Sequence, residues 1–187
     1  MRWFYALQQM WKHQKELGKV HQMPHITDLT VGWLRQYQIQ QLVLDFDGVL
    51  SPHGAPTMRP VVQAWLQDLL HSWSEGKIYI LSNKPFEARL LWVRQHYPQV
   101  IFLRSPRPKP YPDALVALQG QTQIAADHIL IVDDRLLTGV LAGLLAQTQI
   151  IWITQPWQDY QAHPIVERFF AFLRFGEQLW LRAKVGN

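Results

Sequence analysis

LVLDFDGVL, residues 42–50, decides how this chain is read. It begins as an apolar run suited to a protein interior and ends in two aspartates separated only by Phe46. In extended geometry Asp45 and Asp47 project to the same side of the chain. Two carboxylates held that way repel each other unless a cation or a shared proton intervenes. A strand end shaped only for packing has no use for that cost, so the pair points to chemistry.

Outward from this stretch, strand and helix signals alternate. VVQAWLQDLLHSW (61–73) has helical spacing, followed by the strand KIYILSN (77–83), the helix FEARLLWVRQHY (86–97) and the strand VIFLRS (100–105). PDALVALQG (112–120) reads as a helix closed by Gly120. HILIVDD (128–134) is a strand, LTGVLAGLLA (137–146) a helix and IIWIT (150–154) a last strand. Short apolar strands separated by helices predict an α/β fold, a doubly wound parallel sheet in three α/β/α layers. Ligands of such sheets bind beyond the carboxyl ends of the strands. Asp45 and Asp47, Ser82 and Asn83, and Asp133 and Asp134 all fall at strand ends, and Lys109 lies in the loop SPRPKPYP.

Composition narrows the classes. A chain of 187 residues is long enough for a real core, and the absence of cysteine excludes disulfides and thiolate chemistry. The N-terminus lacks the continuous apolar core of a secretion signal, which favours a cytoplasmic setting. Residues 136–158 carry no charge, but Gln147, Thr148 and Gln149 split them into a helix and a buried strand rather than a membrane span. The net charge of +4 sits at the ends. Residues 1–26 hold four Lys/Arg against one Glu, and residues 164–187 hold four against two. With no base-reading motif beside this charge, no nucleic acid partner is expected.

Hard oxygen ligands around one edge suit Mg²⁺, which binds one or two carboxylates together with phosphate oxygens. A cation between Asp45 and the Asp133/Asp134 pair would remove their repulsion and attract a phosphoryl group. Ser82 would then hydrogen-bond a phosphoryl oxygen and Lys109 balance its charge. Asp45 becomes an attacking carboxylate, and Asp47, protonated by its crowded surroundings, a proton donor to the leaving oxygen.

LDFDGVL, ILSNK, RPKPYP and ILIVDDRLLTGV resemble, in order, the four signature motifs of the haloacid dehalogenase (HAD) phosphatases. The resemblance implies Asp45 as nucleophile, Asp47 as acid/base and a metal ligand through its carbonyl, and Ser82, with Asn83 beside it, and Lys109 at the phosphate. It implies Asp134, with Asp133 beside it, at the metal. HITDLTVGWL, GAPTMRPVVQAWL and DDRLLTGVLAG narrow the likeness to the YqeG-type subfamily IIIA, which includes phosphatidylglycerophosphate phosphatases. The implied substrate is an anionic phospholipid, phosphatidylglycerophosphate, met on the inner face of a membrane.

The chain departs from that pattern in three places. Subfamily members usually read DNT where Asp47-Gly48-Val49 stands, Asp133 replaces a usual glycine, and Gly139 replaces a usual distal aspartate. Asp133 supplies a second carboxylate, as in the Asp-Asp form of the resembled superfamily, that can cover the loss. The alternative is a catalytically impaired protein serving as a binding or regulatory module. The gaps from Asp47 to Ser82 and from Ser82 to Lys109 leave 34 and 26 residues, too few for a lid domain. An open site suits a bulky or membrane-embedded substrate, with a soluble phosphorylated metabolite as the alternative.

The expected organisation is a basic aromatic segment (1–26), a catalytic domain (27–160) and a C-terminal amphipathic helix (161–187). That helix groups Ile165, Phe169, Phe172, Leu173 and Trp180 on one face and Glu167, Arg174, Gln178 and Arg182 on another. The N-terminal stretch aligns Trp3, Leu7, Met10 and Trp11 beside Lys12 and Lys15. Such helices either pack on the domain or lie in a lipid interface.

Overall fold

Six parallel strands carry the molecule, in the spatial order His21–Met23, Gln149–Ile153, Ile129–Asp133, Gln41–Leu44, Lys77–Ile80 and Ile101–Phe102. The computed structural model describes residues 2–83 and 86–185; Lys84 of the ILSNK motif and the last two residues of the C-terminal segment lie outside the described residues. Chain order runs α1 (Arg2–Lys12), α2 (Gln14–Leu17), β1 (His21–Met23), α3 (Val31–Gln36), β2 (Gln41–Leu44), α4 (Pro60–Ser72), β3 (Lys77–Ile80) and α5 (Glu87–His96). It continues through β4 (Ile101–Phe102), α6 (Asp113–Thr122), β5 (Ile129–Asp133), α7 (Leu141–Leu145), β6 (Gln149–Ile153) and α8 (Pro164–Val185). The expected doubly wound α/β sheet is the one observed.

Alternation along the central strands builds two cores, one on each side of the sheet. Leu42, Leu44, Ile78, Ile80, Leu130, Val132 and Ile151 pack on one side with α4 residues Val62, Leu66 and Leu69. Val43, Tyr79, Ile129, Ile131 and Trp152 pack on the other with Leu115 and Leu118 of α6 and Leu181 of α8. Both faces of β2 and β5 are buried, which is why those strands read as unbroken apolar runs.

Three local details differ from expectation. β1, an edge strand paired with β6 through His21 and Ile151, gives no sequence signal because its residues are mostly exposed and polar. It lies within the stretch read as the N-terminal segment. α6 passes through Gly120 to Thr122 and is closed by Gln123 in the left-handed region (φ 56°). Burial of Ala114, Leu115 and Leu118 outweighs the roughly 1 kcal/mol cost of an internal glycine. The helix expected after β5 opens instead with a π turn, Leu136–Val140, before α7. Among the described residues, no helix is long and apolar enough to cross a membrane.

Candidate active site

β2 and β5 are neighbours in register, with Leu44 opposite Val132, so their carboxyl ends deliver Asp45 and the Asp133/Asp134 pair to the same sheet edge. Asp45 still belongs to the ladder through its N–H, which donates to the Val132 carbonyl at 2.9 Å. Gly48 then turns the chain with φ 83°, and a Cβ there would collide with the Asp134 carboxylate. Glycine is needed at this position on both counts.

Lys109 comes from the loop before α6 and is buried at the centre of the cluster. Its Nζ donates to Asp45 Oδ1 at 2.8 Å and to Asp133 Oδ2 at 2.6 Å. Burial works against the ammonium, yet the charges of Asp133 and Asp45 outweigh it and hold the Lys109 pKa above the usual lysine value. Asn83 fixes the backbone of the same lysine: its Oδ1 accepts from the Lys109 N–H at 2.8 Å, and its Nδ2 donates to the Lys109 carbonyl at 3.3 Å. Asn83 thus clasps the loop that carries the cation, and it also lines the cavity. Ser82, half-buried one residue earlier, is not among the cavity-lining residues.

Burial raises the Asp45 carboxyl well above the usual range against the pull of Lys109, and the charges of Asp133, Asp47 and Asp134 add to the rise. Asp134 is pushed up to about 7, first by burial and then by the Asp133 charge, against Arg174 and Arg135. Groups forced upward in this way are short of positive charge. Asp45, Asp133 and Asp134 each offer an oxygen, all within 4.8 Å of one another. Ligands around one small octahedral ion stand about 3 Å apart when adjacent and about 4 Å when opposite, so a slight contraction would gather them. Asp134 Oδ1 is buried with no hydrogen-bond partner among the described residues, an acceptor left over for a cation. These residues fit a divalent metal.

Asp133 holds a different balance. Its Oδ2 takes the Lys109 ammonium, while Oδ1 accepts from the Arg135 N–H at 3.0 Å and the Thr138 hydroxyl at 3.2 Å. Its carboxylate also occupies the space that a Cβ on Gly139 would need. The two departures from the family pattern are therefore reciprocal: the acid at 133 stands where a side chain at 139 would begin.

Asp47 lines the same cavity, but crowding by carboxylates is not its main contact. Arg89, fully buried on α5, donates Nη2 to Asp47 Oδ1 at 2.8 Å and Nη1 to Oδ2 at 3.1 Å. The guanidinium is sandwiched by the Phe46 ring at 3.9 Å and the Phe86 ring at 4.5 Å, and it reaches the Ala55 carbonyl. The Gly54 N–H adds a donor to Asp47 Oδ1 at 3.1 Å. Asp47 is thus gripped as a carboxylate by a planar bidentate partner, which sequence reasoning missed. α5 carries both Arg89 and Arg94, and nothing in the sequence says that the first turns inward while the second stays exposed.

α8 completes the site. Arg174 Nη1 donates to Asp134 Oδ2 at 2.8 Å, and Glu177 accepts from Arg135 at 2.6 Å and from the Leu136 N–H at 2.9 Å. Glu167, fully buried, accepts from the His53 N–H at 3.0 Å and faces its Nδ1 at 3.3 Å. The His53 ring stacks on Phe170 with centroids 3.9 Å apart. Burial pushes the His53 imidazole below its usual value, against the charges of Asp47 and Glu167. The polar face of the C-terminal helix is therefore turned inward.

A cavity of about 440 Å³ opens over this floor. Asp45, Asp47, Lys109 and Asp134 form its base, and Trp3, Phe86, Val166, Phe169 and Leu173 are among its walls. Among the described residues, only α4 and β3 lie between Asp47 and Ser82, and only α5 and β4 between Ser82 and Lys109. Among the described residues, no separate lid domain covers the mouth. The arrangement brings carboxylates and an ammonium together in a cavity lined also by apolar side chains.

The family described as mitochondrial PGP phosphatase matches residues 4–158. No curated protein matches the chain. A protein from Listeria monocytogenes serotype 4b shares the fold at 15% identity and TM-score 0.50, over 62% of this chain and 79% of that one. Two deoxy-octulosonate 8-phosphate phosphatases also align. One is cobalt-bound, from Haemophilus influenzae (13% identity, TM-score 0.48, 66% and 82% covered). The other, from Moraxella catarrhalis, holds magnesium and phosphate (15%, 0.45, 76% and 92%). Motif order, sheet topology and the matched residues lead to one assignment: the chain belongs to the mitochondrial PGP phosphatase family and is a phosphatase of the haloacid dehalogenase type.

Proposed function

We propose that the protein is a Mg²⁺-dependent phosphomonoesterase that converts phosphatidylglycerophosphate to phosphatidylglycerol and phosphate at a membrane surface. The observation that carries the chemistry is the convergence of Asp45, Asp133 and Asp134 around Lys109 at the floor of the cavity. The family description names the PGP substrate class, and the apolar walls suit an alcohol that stays joined to lipid.

On this reading the Asp45 carboxylate attacks phosphorus as the bond to the glycerol oxygen breaks, giving an aspartyl phosphate. Asp47 lets go of Arg89 as it takes a proton from a water of the pocket or from a monoanionic substrate phosphate, and it passes that proton to the departing oxygen. Water, losing its proton to Asp47, then attacks phosphorus, and Asp45 is released with phosphate. Lys109 neutralises the phosphoryl oxygens, and Ser82, just outside the cavity lining, turns its hydroxyl inward to hydrogen-bond one of them, while Asn83 holds Lys109 in place. Asp134, with Asp45 and the carbonyl of Asp47, would hold the ion, with Asp133 beside them. When bound, Mg²⁺ supplies the positive charge that lets a carboxylate approach a phosphate dianion.

The acid of Asp133 in the space over Gly139 supports a working enzyme over an impaired binding module. The deciding experiment is phosphate release from phosphatidylglycerophosphate in mixed micelles, with and without Mg²⁺, against a panel of soluble sugar and nucleotide phosphates. Preference for the lipid supports the reading. Faster turnover of a soluble phosphate would replace the substrate, and no Mg²⁺-dependent release from any of them would overturn the activity.

A further inference from the structure

We infer that the outer faces of α1 and α8 form one lipid-docking surface, which seats the protein on an anionic bilayer with the cavity mouth against it. The two helices are mounted inside out. On α8 the buried positions are Glu167, Arg174, Glu177 and Leu181, whereas Ile165 is 82% exposed, Phe172 72% and Phe175 62%. Leu179 continues this outward stripe. On α1, Ala6 and Met10 are buried while Phe4 is 75% exposed, with Trp3, Leu7 and Trp11 beside it. A globular protein ordinarily buries the aromatic face and leaves the charged one in water. Here the charged face builds the active site and the aromatic face is left outside.

The two faces are contiguous with each other and with the mouth. Trp11 meets Trp180 edge-on at 6.4 Å, and near the other ends of the helices Trp3 lines the same cavity as Phe169 and Leu173. The helices therefore approach each other at two levels, near Trp11 and around the cavity near Trp3. An exposed apolar patch of this extent marks an interaction site.

Charge identifies the occupant. α1 carries Arg2 and Lys12 and no acid. The two acids of α8, Glu167 and Glu177, are both buried, which leaves Arg168 and Arg182 exposed among the phenylalanines. Aromatic side chains flanked by cations, with no exposed acid on either helix, complement an anionic lipid surface. The inference takes its partner class from the lipid substrate proposed above, and it adds which face docks and how the mouth is oriented.

The test is flotation of the full chain with vesicles of phosphatidylcholine alone and of phosphatidylcholine with phosphatidylglycerol. The expected result is binding to the anionic vesicles, weakened by salt. The double variant Phe172→Ser/Phe175→Ser, whose positions do not line the cavity, should bind them about tenfold or more weakly. It should keep the wild-type melting temperature and hydrolyse 4-nitrophenyl phosphate at the wild-type rate. Equal flotation of wild type and variant, or no flotation of either, overturns the docking surface. Concentration-dependent self-association that the variant abolishes would assign the face to a second copy instead. Vesicle binding without turnover of micellar lipid leaves docking intact and removes the substrate; turnover without vesicle binding does the reverse.

Discussion

The carboxylate of Asp133 stands in the space that a Cβ on Gly139 would need. The approach is closer than real Cβ atoms show, and the neighbour is not free to yield, because Asp133 is bonded to Lys109, Arg135 and Thr138. A methyl group at 139 must therefore push the acid off Lys109 or distort the π turn. Gly139→Ala is expected to cost about 1–3 kcal/mol, the usual range for overpacking, and to lower turnover. Urea unfolding and steady-state rates read both. The exchange Asp133→Gly/Gly139→Asp restores one carboxylate to the region and should recover part of each loss. A double variant no better than the worse single one would show that the two positions are not reciprocal.

Asp45→Asn should abolish turnover, because the amide cannot form an acyl phosphate with a phosphomonoester. Asp47→Asn should slow it by about 10²–10⁴-fold, the worth of a general acid–base group. Phosphate release measured under excess substrate separates the two. Near-normal turnover by Asp45→Asn would remove the covalent route.

Arg89 touches Asp47 with both ends of its guanidinium, so its removal should be felt as a misplaced proton donor. Arg89→Met is expected to cut turnover of an alkyl phosphate by about 10²-fold. It should cost much less with 4-nitrophenyl phosphate, whose leaving group needs little protonation. Arg89→Lys should not rescue it, since an ammonium lacks the planar fork. Breaking a buried pair also costs about 3–5 kcal/mol of stability, so the folded fraction must be measured alongside. Equal losses with both substrates would mark Arg89 as purely structural.

Metal binding should depend on pH in a direction set by Asp134. Its carboxyl is raised to about 7, so it is mostly protonated at pH 6 and mostly ionised at pH 8. A cation must displace that proton at the lower pH, and apparent affinity should fall by about tenfold from pH 8 to pH 6 for one proton displaced. In the metal-free protein the sign is the opposite of the usual carboxylate. The folded state holds this proton more tightly than the unfolded chain, whose value is near 3.8. This group therefore favours folding as pH falls from about 7 toward 4 and opposes it above about 7. Calorimetric Mg²⁺ titrations at the two pH values measure the effect, and pH-independent affinity would rule it out.

The sheet was legible because β2, β3, β5 and β6 are buried on both faces and so appear as apolar runs with helices between them. Asp45, Asp133, Asp134 and Lys109 were legible for a related reason: parallel strands all end at one edge, so polar residues after them must meet. Arg89, His53, Glu167, Arg174 and Glu177 were not. Their partners lie between 40 and 114 residues away in sequence, and helical periodicity separates two faces without saying which one turns inward. On α8 the usual guess, aromatic in and charged out, fails because three ion-paired residues are needed at the site.

The open rim also fixes the fate of the phosphorylated aspartate on the proposed route. A catalyst that hands its phosphoryl group from one organic acceptor to another must shut the intermediate away from water between the two encounters. No closing domain stands over Asp45 among the described residues, so on the proposed docking only the bilayer shields the pocket, and water takes the place of the alcohol as it returns to the lipid. Such a scaffold is suited to hydrolysis and ill suited to mutase chemistry, in which the same reactive ester would have to outlive an exchange of partners.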